Sequence, residues 1–325
     1  MKATARAHPN IALVKYWGKR DLPLNLPAAG SLSLTLAPLK TETTVHFDAA
    51  LSEDHVEMND QVLTRGSKKA RIATFLDRVR NLSGTSHFAR VVTTNDFPTA
   101  AGLASSASGF AALAVAATAA AGLEPTPTEL SILARIGSGS AARSLFGGYV
   151  EMVPGTLPDG SDCYACQVAP ENHWDLRCLI AVTAEGEKAL GSTEGMLQTM
   201  ETSPFYKDWI RSVPTDLDEA RHAIAEQDFD HLAIVAERSC LRMHASALAA
   251  DPGILYWNAT TTRLIHRIRK ARQDGLQLFF TIDAGPHVKV FCPARERTAC
   301  ETILRQVDGV LDVLSTRPGP GAHLI

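Results

Sequence analysis

The chain has 325 residues, 45% of them hydrophobic, which is more than most single cores hold, so two domains are expected. Thirty-two Lys plus Arg against 35 Asp plus Glu give a net charge of -3, which offers no broad basic surface for nucleic acid or for an anionic membrane. The first residues lack the apolar run of a signal peptide, and no stretch approaches the roughly 20 apolar residues that span a bilayer, so a cytoplasmic protein is expected.

Short β-type segments come first, at 3–7, 31–36, 43–47 and 56–58, several of them rich in Thr and Val and separated by turn residues. Ile72, Phe75, Leu76 and Val79 lie at helical spacing and predict a helix over 68–82. A strand at 88–93 leads into Phe97-Pro-Thr-Ala-Ala-Gly-Leu-Ala-Ser-Ser-Ala-Ser-Gly109, a small-residue loop that runs into an Ala-rich helix ending near Ala121. Pro125 opens a further helix with Thr126 or Thr128 as N-cap, interrupted at Ile136-Gly-Ser-Gly-Ser140. A short helix at 141–146 stops at Gly147-Gly148, and strands follow at 149–153 and 177–182. The polar stretch 184–188 is placed as the domain boundary, which divides the chain into 1–183 and 184–325. Helices are then expected at 204–211, 216–226, 229–249 and 255–274, strands at 277–282 and 288–292, a helix at 294–306 and a strand at 310–314. Runs of helices beside antiparallel strands fit an α+β layer better than a doubly wound parallel sheet.

Several clusters carry chemistry. Backbone N–H groups at a helix start attract anions, and the small residues of 97–109 let a phosphate approach them closely. The loop lacks the Lys of GxxxxGK[ST] and is not GxGxxG, and a packed Ala/Gly helix is the alternative reading of its composition. Ser105 and Ser106, whose hydroxyls can ligate Mg²⁺ or meet phosphate oxygens, favour a nucleotide. In Asn10-Ile-Ala-Leu-Val-Lys-Tyr-Trp-Gly-Lys-Arg20 an apolar strand ends in an aromatic pair and then in cations suited to an anionic substrate, or simply in a solvated turn. Ser138-Gly-Ser-Ala-Ala-Arg-Ser144 gathers two hydroxyls and a guanidinium at a helix start, where the planar fork of Arg matches carboxylate or phosphate oxygens. Thr281-Ile-Asp-Ala-Gly-Pro286 ends an apolar strand in an acid on a rigid turn, which could orient or deprotonate a hydroxyl. Gly191-Ser-Thr-Glu-Gly-Met196 and Arg317-Pro-Gly-Pro-Gly-Ala322 read as turns.

Six cysteines are too sparse for a disulfide framework in a chain of this length and are read as reduced thiols. Cys163 and Cys166 form a single CxxC with no second pair, which favours core or surface thiols over zinc or redox chemistry. Zinc hydrolysis of the HExxH type and serine hydrolysis of the GxSxG type have no motif here.

In order along the chain, the clusters at 10–19, 97–107, 138–143, 191–196 and 283–286 resemble the diphosphomevalonate decarboxylases of the GHMP kinase superfamily. The resemblance covers nearly the whole chain. It implies an N-terminal domain like ribosomal protein S5 domain 2, a C-terminal ferredoxin-like domain and a homodimer. It also implies an ATP-dependent, Mg²⁺-assisted conversion of mevalonate 5-diphosphate to isopentenyl diphosphate with ADP, phosphate and CO₂, through phosphorylation of the 3-hydroxyl. By the same resemblance Asp283 serves as base or aligns that hydroxyl with Lys19 nearby, and Arg143 holds the substrate carboxylate. Asn10, Tyr16, Trp17, Gly18, Lys19, Arg71, Ser138, Gly139, Ser140, Ala141, Ala142, Arg143, Ser192 and Thr193 would line the substrate side, with Lys188 close by. Pro98, Ala101, Gly102, Leu103, Ala104, Ser105 and Ser106 would meet ATP, with Ser106 on Mg²⁺.

Two departures from the family pattern stand out. Pro27-Ala-Ala-Gly-Ser-Leu-Ser33 replaces a common Pro-Ile-Asn-Ser-Ser-Leu-Ser, so an amide and a hydroxyl are missing at Ala29 and Gly30, and Ala142 stands where a Cys is common. A kinase of a mevalonate derivative, or a decarboxylase of the 5-monophosphate, is the nearest alternative, and a non-catalytic ligand-binding regulator is a remote one.

Overall fold

The computed structural model describes residues 1–97, 105–186 and 190–325. Two large sheets carry the chain. The first is ordered His323–Leu324, Lys2–Ala7, Thr41–Asp48, Phe88–Asn95, His55–Met58 and Gln61–Val62, antiparallel throughout except where His55–Met58 runs parallel to Phe88–Asn95. Strand Thr41–Asp48 alternates buried and half-buried residues, the signature of a sheet with one covered face. The cover is a helical layer of Ser67–Ser83, Ser105–Ala120 and Pro127–Gly137. Half of the residues in Ser105–Ala120 are Ala, so its backbone lies close to the sheet, with Ala111, Ala114 and Ala117 wholly buried.

The second sheet joins both halves of the sequence. Its order is Ala165–Ala169, Tyr149–Met152, Ser31–Ala37, Asp312–Pro318, Leu176–Val182, Val288–Pro293 and Phe279–Ile282, and Asn10–Val14 also pairs with Ser31–Ala37. The junction is the pairing of Arg317 with Ala37 and of Pro318 with Leu36. Helices Ser192–Thr202, Tyr206–Ala225, Phe229–Leu248 and Ala259–Gln273 belong to the later half. One mixed and one antiparallel sheet with helical layers give the α+β class expected from the sequence.

Several expectations change. The helices expected at 204–211 and 216–226 are one helix, Tyr206–Ala225, with Pro214 inside it. An interior Pro costs about 3 kcal/mol, yet Trp209, Val213, Leu217, Ala220 and Ile224 form a buried stripe that exists only if the helix continues. Gly191–Met196 is not a turn but the first part of Ser192–Thr202, where Glu194 accepts a hydrogen bond from the Gly191 amide. The helix expected from 255 begins at Ala259, because Asn258 caps it by accepting from the Thr261 amide at 2.8 Å.

The segment 317–322 is likewise more than a turn. A Cβ on Gly319 would sit 2.7 Å from the Ala37 nitrogen, and one on Gly321 only 2.4 Å from the Leu145 carbonyl oxygen. Glycine there lets the chain pass backbone to backbone over the strand and the helix end that carry the site.

Candidate active site

Strand Phe279–Ile282 is buried throughout and delivers Asp283 at its end, where the Gly285 amide donates to the Asp283 carbonyl at 2.7 Å and closes the turn. The carboxylate meets two lysines. Lys15 Nζ, just past strand Asn10–Val14, lies 2.6 Å from Oδ1, and Lys289 Nζ, on strand Val288–Pro293, lies 3.4 Å from Oδ2. Both lysines are closed to water, whereas the Asp283 side chain is 26% exposed, so one side of the carboxylate faces outward. Burial alone would push the Asp283 carboxyl up, but the charges and hydrogen bonds of Lys15 and Lys289 hold it well below the usual carboxylate range.

Lys19 is not the ammonium on Asp283. Its Nζ donates to Asn25 Oδ1 at 2.6 Å, and the Asn25 amide in turn donates to the Ile136 carbonyl, which ties Lys19 to the turn before Ser138. The reason is the break at Gly18, whose φ of +99° redirects the chain so that residues four apart point to different parts of the site. Burial and the neighbouring positive charge of Arg71 lower the Lys19 pKa. Arg71, on helix Ser67–Ser83, donates to the Gly137 carbonyl at 2.9 Å and lies over the Phe110 ring. Lys19 and Arg71 thus form a cationic end of the site.

Arg143 lies between. It belongs to the short helix Ala141–Ser144 and is buried, with Nε donating to Ser33 Oγ at 2.9 Å, Nη1 to Ser31 Oγ at 2.6 Å and Nη2 to Asn10 Oδ1 at 3.2 Å. Asn10 is itself fixed by donating to the Ser140 carbonyl and to Ser144 Oγ. All three acceptors are neutral, and no carboxylate pairs directly with this guanidinium among the described residues. Burial therefore brings its pKa down to about 10, although Tyr16 and Asp283 act in the opposite sense. A desolvated, uncompensated cation is an anion site waiting to be filled.

The remaining substrate-side residues gather around these cations with differing access. The Ser138 hydroxyl lies 3.4 Å from those of both Ser140 and Ser106, which brings the turn of 138–140 against the first turn of helix Ser105–Ala120. The Tyr16 hydroxyl is buried without a hydrogen-bond partner among the described residues, beside Gly139, where a Cβ would come within 2.4 Å of it. Trp17 is buried edge-on against Tyr256, and its ring meets Gly195, which brings the helix start bearing Ser192 and Thr193 toward the 17–19 turn. Ala141 and Ala142 are a partial correction. Their side chains pack into two different hydrophobic clusters, so only their backbone is available to a ligand. Pro98, Ala101, Gly102, Leu103, Ala104 and Lys188 lie outside the described residues.

Sequence reasoning missed Lys15, Lys289, Ser31 and Ser33. Lys15 and Ser31 to Ser33 stood inside segments already singled out, and the signal available was a polar residue within an apolar strand.

The family model of the diphosphomevalonate decarboxylase-like N-terminal domain matches residues 7–165, and that of the mevalonate 5-diphosphate decarboxylase C-terminal domain matches 178–316. The diphosphomevalonate decarboxylase of Ganoderma lucidum is 39% identical over 317 residues, covering 90% of this chain and 78% of the relative. The chain belongs to the diphosphomevalonate decarboxylase family. Among solved structures, the mevalonate diphosphate decarboxylase of Staphylococcus aureus superposes with a TM-score of 0.94 at 37% identity, covering 100% of this chain and 98% of that one. MDDEF in complex with MVAPP, AMPPCP and magnesium superposes with a TM-score of 0.93 at 41% identity, covering 100% and 99%.

The architecture is therefore the two-domain GHMP kinase fold of the diphosphomevalonate decarboxylase family. Among the described residues no group of three or more His, Cys, Asp or Glu could cage a metal. Mg²⁺ is a hard cation that takes oxygen ligands, and the exposed Ser106 hydroxyl is a donor of that kind. Cys163 and Cys166 are free thiols, and the Cys163 carbonyl accepts from buried Arg135, which marks the CxxC turn as structural. No helix among the described residues is long and apolar enough to cross a membrane.

Proposed function

We propose that this chain converts mevalonate 5-diphosphate to isopentenyl diphosphate, consuming ATP with Mg²⁺ and releasing ADP, phosphate and CO₂. The observation that carries the residue assignment is the pairing, within one site, of a lysine-clamped carboxylate, Asp283, with a buried guanidinium, Arg143, that has no carboxylate partner among the described residues. A kinase that only phosphorylates a hydroxyl has no need of a cation fixed for a substrate carboxylate beside the phosphorylated carbon.

Loss of CO₂ from a 3-hydroxy acid lacks an electron sink. Phosphorylation of the C3 oxygen turns it into a leaving group, so that the electrons of the breaking C–C bond form the new double bond as phosphate departs. In this reading Asp283 accepts a hydrogen bond from the C3 hydroxyl on its open side. A carboxylate held so far below the usual range is a weak base, which favours aligning the hydroxyl over removing its proton in advance. Arg143 holds the carboxylate in the geometry from which CO₂ leaves. Lys19, Arg71 and the hydroxyls of Ser138, Ser140, Tyr16 and Thr193 take the remaining substrate oxygens, while Ser105 and Ser106 face the nucleotide. ATP brings the phosphoryl group, and Mg²⁺ offsets the charge of its phosphates.

The two family matches leave a gap at 166–177, just before the division proposed at 183/184, and the resemblance supports a homodimer acting in the cytoplasm. Incubation with ATP, Mg²⁺ and mevalonate 5-diphosphate should release CO₂ and ADP in equal amounts. ADP without CO₂ would instead mark a kinase, and CO₂ only from the 5-monophosphate would mark the alternative substrate.

A further inference from the structure

The two lysines on Asp283 differ in origin and in grip. Lys15 Nζ is shared between Asp283 Oδ1 and the Ala12 carbonyl, at 2.6 and 3.0 Å. Lys289 comes from the opposite side, on a strand whose register pairs it with both Thr281 and Ile180, and its Nζ reaches Asp283 Oδ2 at 3.4 Å and the His287 carbonyl at 3.4 Å. The Thr281 hydroxyl donates to the same Ala12 carbonyl as Lys15, so the supports of the two lysines are joined through strand Phe279–Ile282. Both lysines are closed to water, so their contacts with Asp283 are little screened. His244 nearby stays neutral and is bonded through Nε2 to the Ile282 carbonyl.

We propose that Lys289 is a positioning residue for the decarboxylation: by holding Oδ2 while Lys15 holds Oδ1, it keeps the Asp283 carboxylate in one orientation toward the C3 hydroxyl. The inference rests on the function proposed above. A carboxylate held at one oxygen swings about its Cβ–Cγ bond, whereas one held at both does not, and small misplacements of an aligning group are expensive in rate.

Among the described residues, the titratable groups facing Lys289 include Asp283, Lys15, Cys178, His287 and His244. Asp283 stays ionised, the histidines stay neutral with pKa values of about 3 for His244 and about 4 for His287, and Cys178 is pushed up to about 12. Burial lowers the Lys289 ammonium itself, and Asp283 offsets this only in part. Its deprotonation should therefore place an alkaline limb on the kcat profile.

The test is steady-state kinetics of wild type, Lys289→Met and Lys289→Gln over about pH 6 to 10, following ADP and CO₂ with ATP and mevalonate 5-diphosphate. Lys289→Met should lower kcat about tenfold or more with KM for mevalonate 5-diphosphate within about threefold, and its alkaline limb should move or vanish. Lys289→Gln, which keeps a donor without the charge, should fall between, with the same loss of the limb. A Lys289→Met enzyme within about twofold of wild-type kcat, with an unchanged pH profile, overturns the proposal. So does a loss shared by both KM values and by Tm that Lys289→Gln restores with the alkaline limb intact. If Lys289→Met does not fold, Lys289→Gln decides by the same profile. A wild type that releases no CO₂ overturns the proposed function instead, and the two failures are thereby distinct.

Discussion

Lys15 Nζ and Asp283 Oδ1 lie 2.6 Å apart although 268 residues separate them in the chain. The pair stitches the end of an early strand to the end of a late one and draws Lys15, rather than Lys19, to the aligning carboxylate. The two lysines of one short cluster should therefore fail differently. Lys15→Met should lower kcat by about 100-fold or more with a modest change in KM, whereas Lys19→Ala should act mainly on KM for mevalonate 5-diphosphate. Steady-state kinetics on both variants checks this, and equal kcat losses with unchanged KM values would contradict it.

Arg143 depends on the neutral acceptors that hold it. Ser31→Ala removes the acceptor 2.6 Å from Nη1, which leaves a donor of a buried cation without its partner and should cost about 1–3 kcal/mol of stability. Arg143→Gln should be the more severe change in activity, reducing kcat/KM for mevalonate 5-diphosphate by about 100-fold or more with nucleotide binding little changed. Urea unfolding and nucleotide titration separate the two effects.

Gly18 and Tyr206 occupy nearly the same space. A Cβ on Gly18 would fall 1.9 Å from the Tyr206 hydroxyl oxygen, and the Gly18 φ of +99° is one that other residues rarely adopt. Gly18→Ala should destabilise the protein by about 2 kcal/mol or more and raise KM through the displaced Lys19. Adding Tyr206→Leu should return part of that loss, because it removes the clash but not the backbone strain. A double-mutant cycle in urea measures the coupling, and strict additivity would show that the contact is not the cause.

Acid should weaken the fold before the carboxylates titrate. His244 and His287 have folded pKa values lowered by burial to about 3 and about 4, against an ordinary 6.5. Their contribution is complete above about pH 6.5 and is lost as pH falls toward the folded values, because only the unfolded chain takes up those protons. Between about pH 6 and 4.5 the pair should lower stability by roughly 2–3 kcal/mol per pH unit. His244→Gln should roughly halve that slope. Asp283, also held low, adds its loss only below about pH 4. Urea midpoints against pH read the slope, and a flat curve from pH 7 to 5 would contradict the assignment.

Much of the architecture was legible locally. The Thr- and Val-bearing segment at 43–47, the N-cap candidate Thr126 and the apolar spacing of Ile72 to Val79 are short-range patterns, and they reported their elements correctly. Helix Tyr206–Ala225 was not legible, because local propensity at Pro214 opposes it and only the stripe from Trp209 to Ile224 overrides that cost. Cluster chemistry was also legible in kind: Asp283, Arg143, Lys19 and Ser138 have the charges and donors that an anionic substrate requires.

The sequence by itself determined which residue types were available, their order and the family they signal, since these follow from motifs a few residues long. Only the tertiary structure decided the partnerships. It set Lys15 and Lys289, not Lys19, on Asp283, gave Arg143 the hydroxyls of Ser31 and Ser33, and turned the side chains of Ala141 and Ala142 into cores. The physical reason is that a pairing strength depends on distance and burial, and both are set by strands brought together from opposite ends of the chain.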